Sequence, residues 1–355
     1  MQGLVVRNTG SSFLVKSDDS LVYECRVKGN FRIKGIKSTS PVAVGDRVSF
    51  VMMEDGIGWI TEIEERKNYI VRRPANLSKQ LHIIAANVEQ LILVVTISHP
   101  ETSTIFIDRV LATAEAYRIP ATLVVNKCDL YTEEALEYMR MLQALYEGIG
   151  YGFLAVSAVT GENIEKLKSI LEGKISVLSG NSGVGKSSLI NAISPDMAVK
   201  TGEISNIHDK GMHTTTFSEM FEIFPNTYLI DTPGVKGFGT IDFKKEEVSH
   251  FFPEIFRASA DCRFGNCMHL KEPGCAVKKA LEFSKKLVDI GCNISLNPMH
   301  TVNYNNFELE YLLKTTNQIA PSSLVIVDTN GQTNENDVAN LSQLFDNVLD
   351  LKISL

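Results

Sequence analysis

Apolar and polar residues alternate along five short runs at the start of the chain, at residues 4–7, 12–15, 21–27, 47–52 and 58–64. A period of two is the mark of strands with one buried face. Gly29-Asn30 and Glu54-Asp55-Gly56 supply turn signals between them. Five short strands without a helix predict a small barrel, of which the OB type has the matching strand count. Near residue 88 the pattern changes. Strand-sized apolar runs at 91–97, 121–125, 153–156, 175–178 and 228–230 are interleaved with helical patterns at 105–117, 132–146, 163–171 and 186–193. This alternation predicts a mainly parallel sheet wrapped by helices. Residues 247–318 read as helical around a group of cysteines. Beyond Pro321 come one apolar run at 323–327, a polar stretch at 329–337 and a helix-like pattern through Leu349. The expected organisation is a barrel at 1–75, an α/β domain at 76–245, a helical domain at 246–318 and an extension of no assigned role at 319–355.

The α/β region carries the chemistry. Gly180-Asn181-Ser182-Gly183-Val184-Gly185-Lys186-Ser187 fits G-x-x-x-x-G-K-[ST] and lies between an expected strand and an expected helix, the context that motif needs. Its glycines let backbone N–H groups approach phosphates, and the helix N-terminus adds its positive dipole end. Lys186 is expected to reach the β- and γ-phosphates, and Ser187 to place its hydroxyl on magnesium. Asp231-Thr232-Pro233-Gly234 follows a strand; Asp231 can hold magnesium through water, and the Gly234 N–H can meet the γ-phosphate. Asn126-Lys127-Cys128-Asp129 also closes a strand. The Asp129 carboxylate can accept from guanine N1–H and the exocyclic amine, a pair that adenine lacks. Lys127 can pack its stem beside the base, and Ser157-Ala158 offers a backbone N–H for guanine O6. These motifs together specify GTP over ATP. Their order is permuted, because the base reader at Asn126 precedes the phosphate loop at Gly180.

Between the loop and Asp231 lies Gly211-Met212-His213-Thr214-Thr215-Thr216, read as a switch segment. Thr214 and Thr215 are both candidates for magnesium, with Thr215 preferred. Many GTPases place a water-orienting glutamine after the glycine of the aspartate motif. Here that position is Val235, which cannot orient water. His213 is the nearest replacement as the catalytic residue; shaping the loop is the alternative role. Slow intrinsic hydrolysis, accelerated by a partner that orders the loop, is the expected behaviour. A nucleotide-holding RNA binder without turnover is the second reading that Val235 leaves open.

Composition changes the picture in three places. The net charge of −7 excludes a uniformly basic coat for nucleic acid, though not a local patch. Arg66, Lys67, Arg72, Arg73 and Lys79 form one basic stretch, a solvated surface that could also touch RNA phosphates. No apolar run reaches the roughly 18 residues of a membrane helix, and the first residues lack a signal-peptide pattern, so the expectation is a cytoplasmic protein with no membrane partner. Of six cysteines, Cys262, Cys267 and Cys275 cluster around His269. Three sulfurs and an imidazole make a closed tetrahedral set for one structural Zn2+.

The chain resembles the family of small-ribosomal-subunit-dependent GTPases called RsgA or YjeQ, over roughly residues 1–310. The resemblance rests on Phe106-Ile107-Asp108-Arg109, the Asn126 motif, Ser182-Gly183-Val184-Gly185-Lys186-Ser187-Ser188, His213-Thr214-Thr215-Thr216, Asp231 to Gly234 and the cysteine cluster. It implies an OB-type RNA-binding barrel, a circularly permuted GTPase domain that binds GTP with Mg2+, and a zinc domain. It also implies a factor, expected as a monomer, that acts late in assembly of the 30S subunit, contacts its rRNA and is stimulated by it, with His213 as the proposed catalytic residue and Ser188 among the nucleotide contacts. The chain departs from the family at Met212, where arginine is usual, in a longer segment at 281–300, and in the acidic tail from Pro321, whose charge argues against direct rRNA contact. Permutation also puts Asp231 only a short segment ahead of Cys262, a covalent path by which the γ-phosphate state could move the zinc domain.

Overall fold

Strands β1 (Gln2–Asn8), β2 (Phe13–Ser17), β3 (Val22–Val27), β4 (Arg47–Met52) and β5 (Gly58–Ile63) close on themselves at the start of the chain. The computed structural model describes residues 1–10, 12–27, 41–72, 82–195, 219–231, 244, 246–280, 295–296, 323–327 and 351–354. The ring runs β1-β2-β3-β5-β4, and pairing of β1 with β4 shuts it. All neighbours are antiparallel except β3 and β5. Alternation put one face inside: Val5, Val15, Cys25, Val48, Phe50 and Ile60 are at most 2% exposed. The Tyr23 ring tilts against Phe50 at 5.6 Å. The expected five-strand barrel is therefore present.

A hairpin that the apolar pattern did not announce follows, β6 (Tyr69–Arg72) with β7 (His82–Ala86). The α/β region then runs β8 (Gln90–Val95), α1 (Thr104–Tyr117), β9 (Ala121–Val125), α2 (Glu133–Ile149), β10 (Gly152–Ala155), α3 (Ile164–Leu171), β11 (Ile175–Ser179), α4 (Lys186–Ile193), β12 (Glu219–Phe224) and β13 (Thr227–Asp231). Strands β10-β9-β8-β11-β13 are parallel. All six residues of β8 are buried, as a central parallel strand covered on both faces requires. Leu167, Leu171, Leu189 and Ile193 of α3 and α4 pack with Ile92, Val94 and Val124. Burial of each such side chain contributes about 1.5–3 kcal/mol. Helix α2 starts where the Thr132 hydroxyl accepts from Ala135 N–H, and stops at Gly150 with φ 123°. Because the five strands are parallel, the segments after β8, β9, β10 and β11 and the end of β13 share one edge of the sheet. That edge is where ligands bind in open α/β sheets.

Strand β12 was not expected. It pairs antiparallel with β13, and its outer edge is taken by β1 of the barrel at Arg7↔Glu219. Barrel and α/β sheet are thus one run of eleven hydrogen-bonded strands, within a single compact unit of residues 1–102 and 113–239. Lys16 of β2 crosses this joint, with Nζ 2.6 Å from both Glu222 carboxylate oxygens and 3.2 Å from the Tyr228 hydroxyl.

A second joint corrects the reading of the basic stretch. Arg66 is not a solvated cation. Its side chain is 6% exposed, and Nε and one terminal nitrogen donate to Asp46 Oδ1 and Oδ2 at 2.7 and 2.6 Å. That terminal nitrogen also donates to Pro41 O, while Asp46 Oδ2 accepts from Ala43 N–H. The loop so braced reaches the α/β part: Val44 bridges to Ala85, and Asn87 Nδ2 donates to Gly45 O. Lys67 is exposed; Arg73 and Lys79 lie outside the described residues.

The other compact unit comprises residues 103–112 and 240–355. It contains a 3-10 turn at Val248–Phe251, α5 (Pro253–Ser259), the cysteine loops, and helix again at 276–280. Strands β14 (Ser295–Leu296), β15 (Ser323–Val327) and β16 (Leu351–Ser354) form a small parallel sheet. The helical reading of 247–318 therefore fails at 295–296, and the helix-like pattern through Leu349 lies outside the described residues. Among the described residues no helix is long and apolar enough to cross a membrane.

The two joints differ in expected energy. Asp46→Ala leaves the Arg66 charge buried and uncompensated, a loss of about 3–5 kcal/mol in urea unfolding. Lys16→Ala breaks a partly exposed pair, and the same measurement should fall by roughly 0.2–1 kcal/mol. Equal losses would refute this ranking.

Candidate nucleotide and metal sites

The phosphate loop leaves β11 at Gly180 and enters α4 at Lys186. Two glycines are required by space as well as by backbone. A Cβ on Gly180, at φ 148°, would stand 2.3 Å from Val94 O. One on Gly185, at φ 92°, would stand 2.4 Å from Asn126 Nδ2. Between them Val184 is fully buried and pins the loop to the core, while Ser182, Gly183, Ser187 and Ser188 are exposed. Lys186 Nζ donates to Gly180 O and Asn181 O at 2.7 Å each, which holds the ammonium over the loop.

Asn126 binds the motifs to one another. It is 1% exposed. Its Nδ2 donates to Val184 O at 2.9 Å, and its Oδ1 accepts from Ala158 N–H at 3.2 Å. One carboxamide thus ties the segment after β9 to the phosphate loop and to the turn after β10. Ser157-Ala158 was expected to offer a backbone N–H to guanine O6; here the Ala158 N–H is engaged by Asn126 and that of Ser157 by Glu162 O. Ser157 is fully buried, and its hydroxyl accepts from Val159 and Thr160 N–H, which shapes that turn. Lys127 Nζ donates to Gly183 O at 2.7 Å and to His99 O, so its side chain links the segment after β9 to the phosphate loop and to the segment after β8. Asp129 is exposed on a short 3-10 turn, Cys128–Leu130. Its neighbour Cys128 donates to Glu162 Oε2, and burial with that carboxylate pushes the thiol up to about 11.

Tyr131 and the segment after β8 had no place in the motif reading. The Tyr131 hydroxyl donates to Asn126 O at 2.5 Å and accepts from Ile97 N–H at 2.9 Å. Burial pushes its pKa up to about 12, so it stays a neutral donor. Thr96 and Thr102 close the 96–102 segment on itself. A tyrosine two residues past Asp129 carries no motif signal. Asp231 ends β13 on the same sheet edge. His213, Thr214, Thr215 and Gly234 lie outside the described residues, as do all of residues 232–243.

In the other unit, Cys262, Cys267, His269 and Cys275 place their ligand atoms within 4.8 Å of one another. Cys262 Sγ lies 3.9 Å from Cys275 Sγ, and His269 Nδ1 lies 3.7 and 3.5 Å from those sulfurs. Zinc bonds to sulfur and nitrogen imply tetrahedral edges of about 3.8 Å for S···S and about 3.5 Å for S···N. The donor set and its spacing therefore fit zinc, with Nδ1 as the imidazole ligand. Ala276 N–H donates to Cys262 Sγ at 3.3 Å and Lys278 N–H to Cys275 Sγ at 3.4 Å. Glu272, which no motif flagged, accepts from Met268, Leu270 and Lys271 N–H. Burial pushes its carboxyl up, but the backbone donors outweigh that and hold it below the usual range.

The Asn126 bridge gives a direct test. Asn126→Asp keeps the acceptor for Ala158 but sets a carboxylate oxygen against Val184 O. Affinity for a fluorescent GDP analogue should fall about 10–100-fold, the equivalent of losing a 1–3 kcal/mol buried donor. Unchanged affinity would remove the bridging role.

Comparison with known proteins bears on both sites. The family model for the RsgA GTPase matches residues 63–241, and that for the RsgA N-terminal domain matches residues 2–60. "Small ribosomal subunit biogenesis GTPase RsgA 2" of Bacteroides thetaiotaomicron is 61% identical over 282 residues, covering 79% of this chain and 91% of that protein. The Porphyromonas gingivalis "Small ribosomal subunit biogenesis GTPase RsgA" is 55% identical over 286 residues, with the same coverage. Among solved structures, YjeQ from Thermotoga maritima aligns with a TM-score of 0.63 at 37% identity, over 80% of this chain and 92% of that one. YloQ, described as a circularly permuted GTPase, aligns with a TM-score of 0.62 at 26% identity, over 90% and 94%. With the Gly180 loop following the Asn126 segment, and with the five-strand barrel and the parallel sheet in place, this chain belongs to the RsgA GTPase family.

Proposed function

We propose that this chain is a GTP hydrolase that serves biogenesis of the small ribosomal subunit. The observation that carries the reading is the Asn126 carboxamide, which gathers phosphate loop and base-reading segments into one site on the sheet edge. The N–H groups of Gly180 to Ser188 and the Lys186 ammonium receive the phosphates. Asp129 reads the guanine edge, with Lys127 beside the base and Ser157-Ala158 as the supporting turn. Ser187 and Thr215, with Asp231, hold magnesium, which when bound neutralises charge on the β- and γ-phosphates. The Gly234 N–H meets the γ-phosphate, and His213 orients the attacking water, the task Val235 cannot perform. Zinc on Cys262, Cys267, His269 and Cys275 supplies a structural crosslink.

The segments 1–75, 76–245, 246–318 and 319–355 act as RNA-binding barrel, permuted GTPase, zinc domain and an extension of open role. Partners are the 30S subunit and its rRNA, which accelerate hydrolysis; the protein works as a cytoplasmic monomer. Support comes from the names of the relatives, both small-subunit biogenesis GTPases.

Phosphate release from GTP and ATP, with and without 30S subunits, tests the reading. GTP turnover should rise with subunits and exceed ATP turnover by roughly 10^4-fold or more. Absence of GTP turnover even with subunits would sink the enzyme assignment. Asp129→Asn should lose about 10^2-fold or more in GTP affinity, two charge-assisted hydrogen bonds being removed. The same variant should gain xanthosine triphosphate, whose C2 carbonyl accepts from the new amide. His213→Ala should bind GTP normally yet lose stimulated hydrolysis; a wild-type stimulated rate would reject that role.

A further inference from the structure

The turn that presents His269 is built around one carboxylate. Glu272 Oε1 accepts from Met268 N–H, and Oε2 accepts from Leu270 and Lys271 N–H, each at 3.0 Å. These three donors flank His269 on both sides in sequence. His269 itself sits at φ 61°, in the left-handed region. A non-glycine residue there costs of order 1–3 kcal/mol and persists only when its surroundings over-determine it. Three charge-assisted hydrogen bonds to one anion are such a surrounding. The conformation they hold aims Nδ1 at Cys262 and Cys275.

Two of the thiols are held by other groups. Ala276 N–H supports Cys262 Sγ, Lys278 N–H supports Cys275 Sγ, and Cys267 N–H donates to Phe264 O. None of these bonds involves Glu272. The Cys262 and Cys275 thiols are thus supported apart from the imidazole, whereas the Cys267 thiol meets the His269 backbone on the turn that Glu272 builds.

We propose that Glu272 is a positioning residue that sets His269 as the fourth ligand, and that its loss leaves a three-thiolate metal site with an exchangeable fourth position. This rests on the Cys3His reading above. The distinction is functional: a closed zinc site is inert, whereas three protein ligands and an open position expose the metal to outside ligands.

The full chain loaded with Co2+ as a spectroscopic probe separates the possibilities. The unsubstituted protein should show the intense visible bands of a tetrahedral three-sulfur, one-nitrogen site. Absence of those bands there would fell the Cys3His reading itself. Glu272→Ala should keep sulfur-to-cobalt charge transfer but shift the visible bands as water replaces imidazole, and added free imidazole should restore the original spectrum. Zinc affinity by chelator competition should fall about 10–100-fold, the usual weight of an outer-shell partner. Glu272→Gln, of the same shape but with an amide donor facing backbone N–H groups, should behave like Glu272→Ala, and serves if that variant is unstable. Unchanged bands with unchanged zinc affinity would overturn the proposal. So would loss of charge transfer that imidazole does not restore, because the thiols would then depend on Glu272 as well.

Discussion

A single buried amide holds the candidate nucleotide site together. Asn126 donates to the phosphate loop through Val184 O and accepts from the turn after β10 through Ala158 N–H. Its own carbonyl accepts from Tyr131, which in turn accepts from Ile97. Segments after β8, β9, β10 and β11 are thereby fixed to one residue in a low-dielectric setting, where hydrogen bonds are strong and an orphaned one is costly. The glycine at 185 follows from the same constraint, since a side chain there would occupy the place of the Asn126 amide nitrogen. Chain order is irrelevant to this bridge. A permuted sequence can therefore assemble the same site, because parallel strands bring the motifs to one edge whatever their order.

The sheet also makes the barrel part of the nucleotide unit. Strand β12 pairs with the strand that ends at Asp231, and on its other side pairs with β1. Backbone pairing and the Lys16–Glu222 contact span this joint, and the Asp46–Arg66 brace holds the separate loop that bridges to Ala85. The brace is the costlier one to break, because its two charges are 0% and 6% exposed and neither can fall back on water. Whatever engages the barrel face thus acts on a body continuous with the hairpin of the nucleotide site.

In the other unit the candidate metal ligands follow a different design. Sulfurs are supported by backbone N–H groups at the start of the helix at 276–280, and the imidazole by a turn wrapped on Glu272. Hydrogen bonds at this second layer orient ligands that would otherwise be free to rotate.

Period-two and helical patterns sufficed for the barrel, for the alternating α/β run and for the helix starting after Thr132, because those elements bury one face and the burial writes itself into residue order. Motif spacing pointed to Gly180 to Ser187, Asn126 to Asp129 and the Cys3His set, and the fold brings the first two to one sheet edge and the four ligand atoms of the third within 4.8 Å of one another. Strand β12, the hairpin β6–β7, the buried fate of Arg66 and the roles of Tyr131 and Glu272 were not legible. Each depends on a partner far away in sequence or on backbone groups, and neither leaves a periodic trace. Arg66 looks like any surface arginine until the fold closes Asp46 over it, twenty residues away. The sequence determined which chemistry this chain carries. Only the tertiary structure decided which side chains hold that chemistry in place, because holding is done by long-range hydrogen bonds whose partners the chain brings together only on folding.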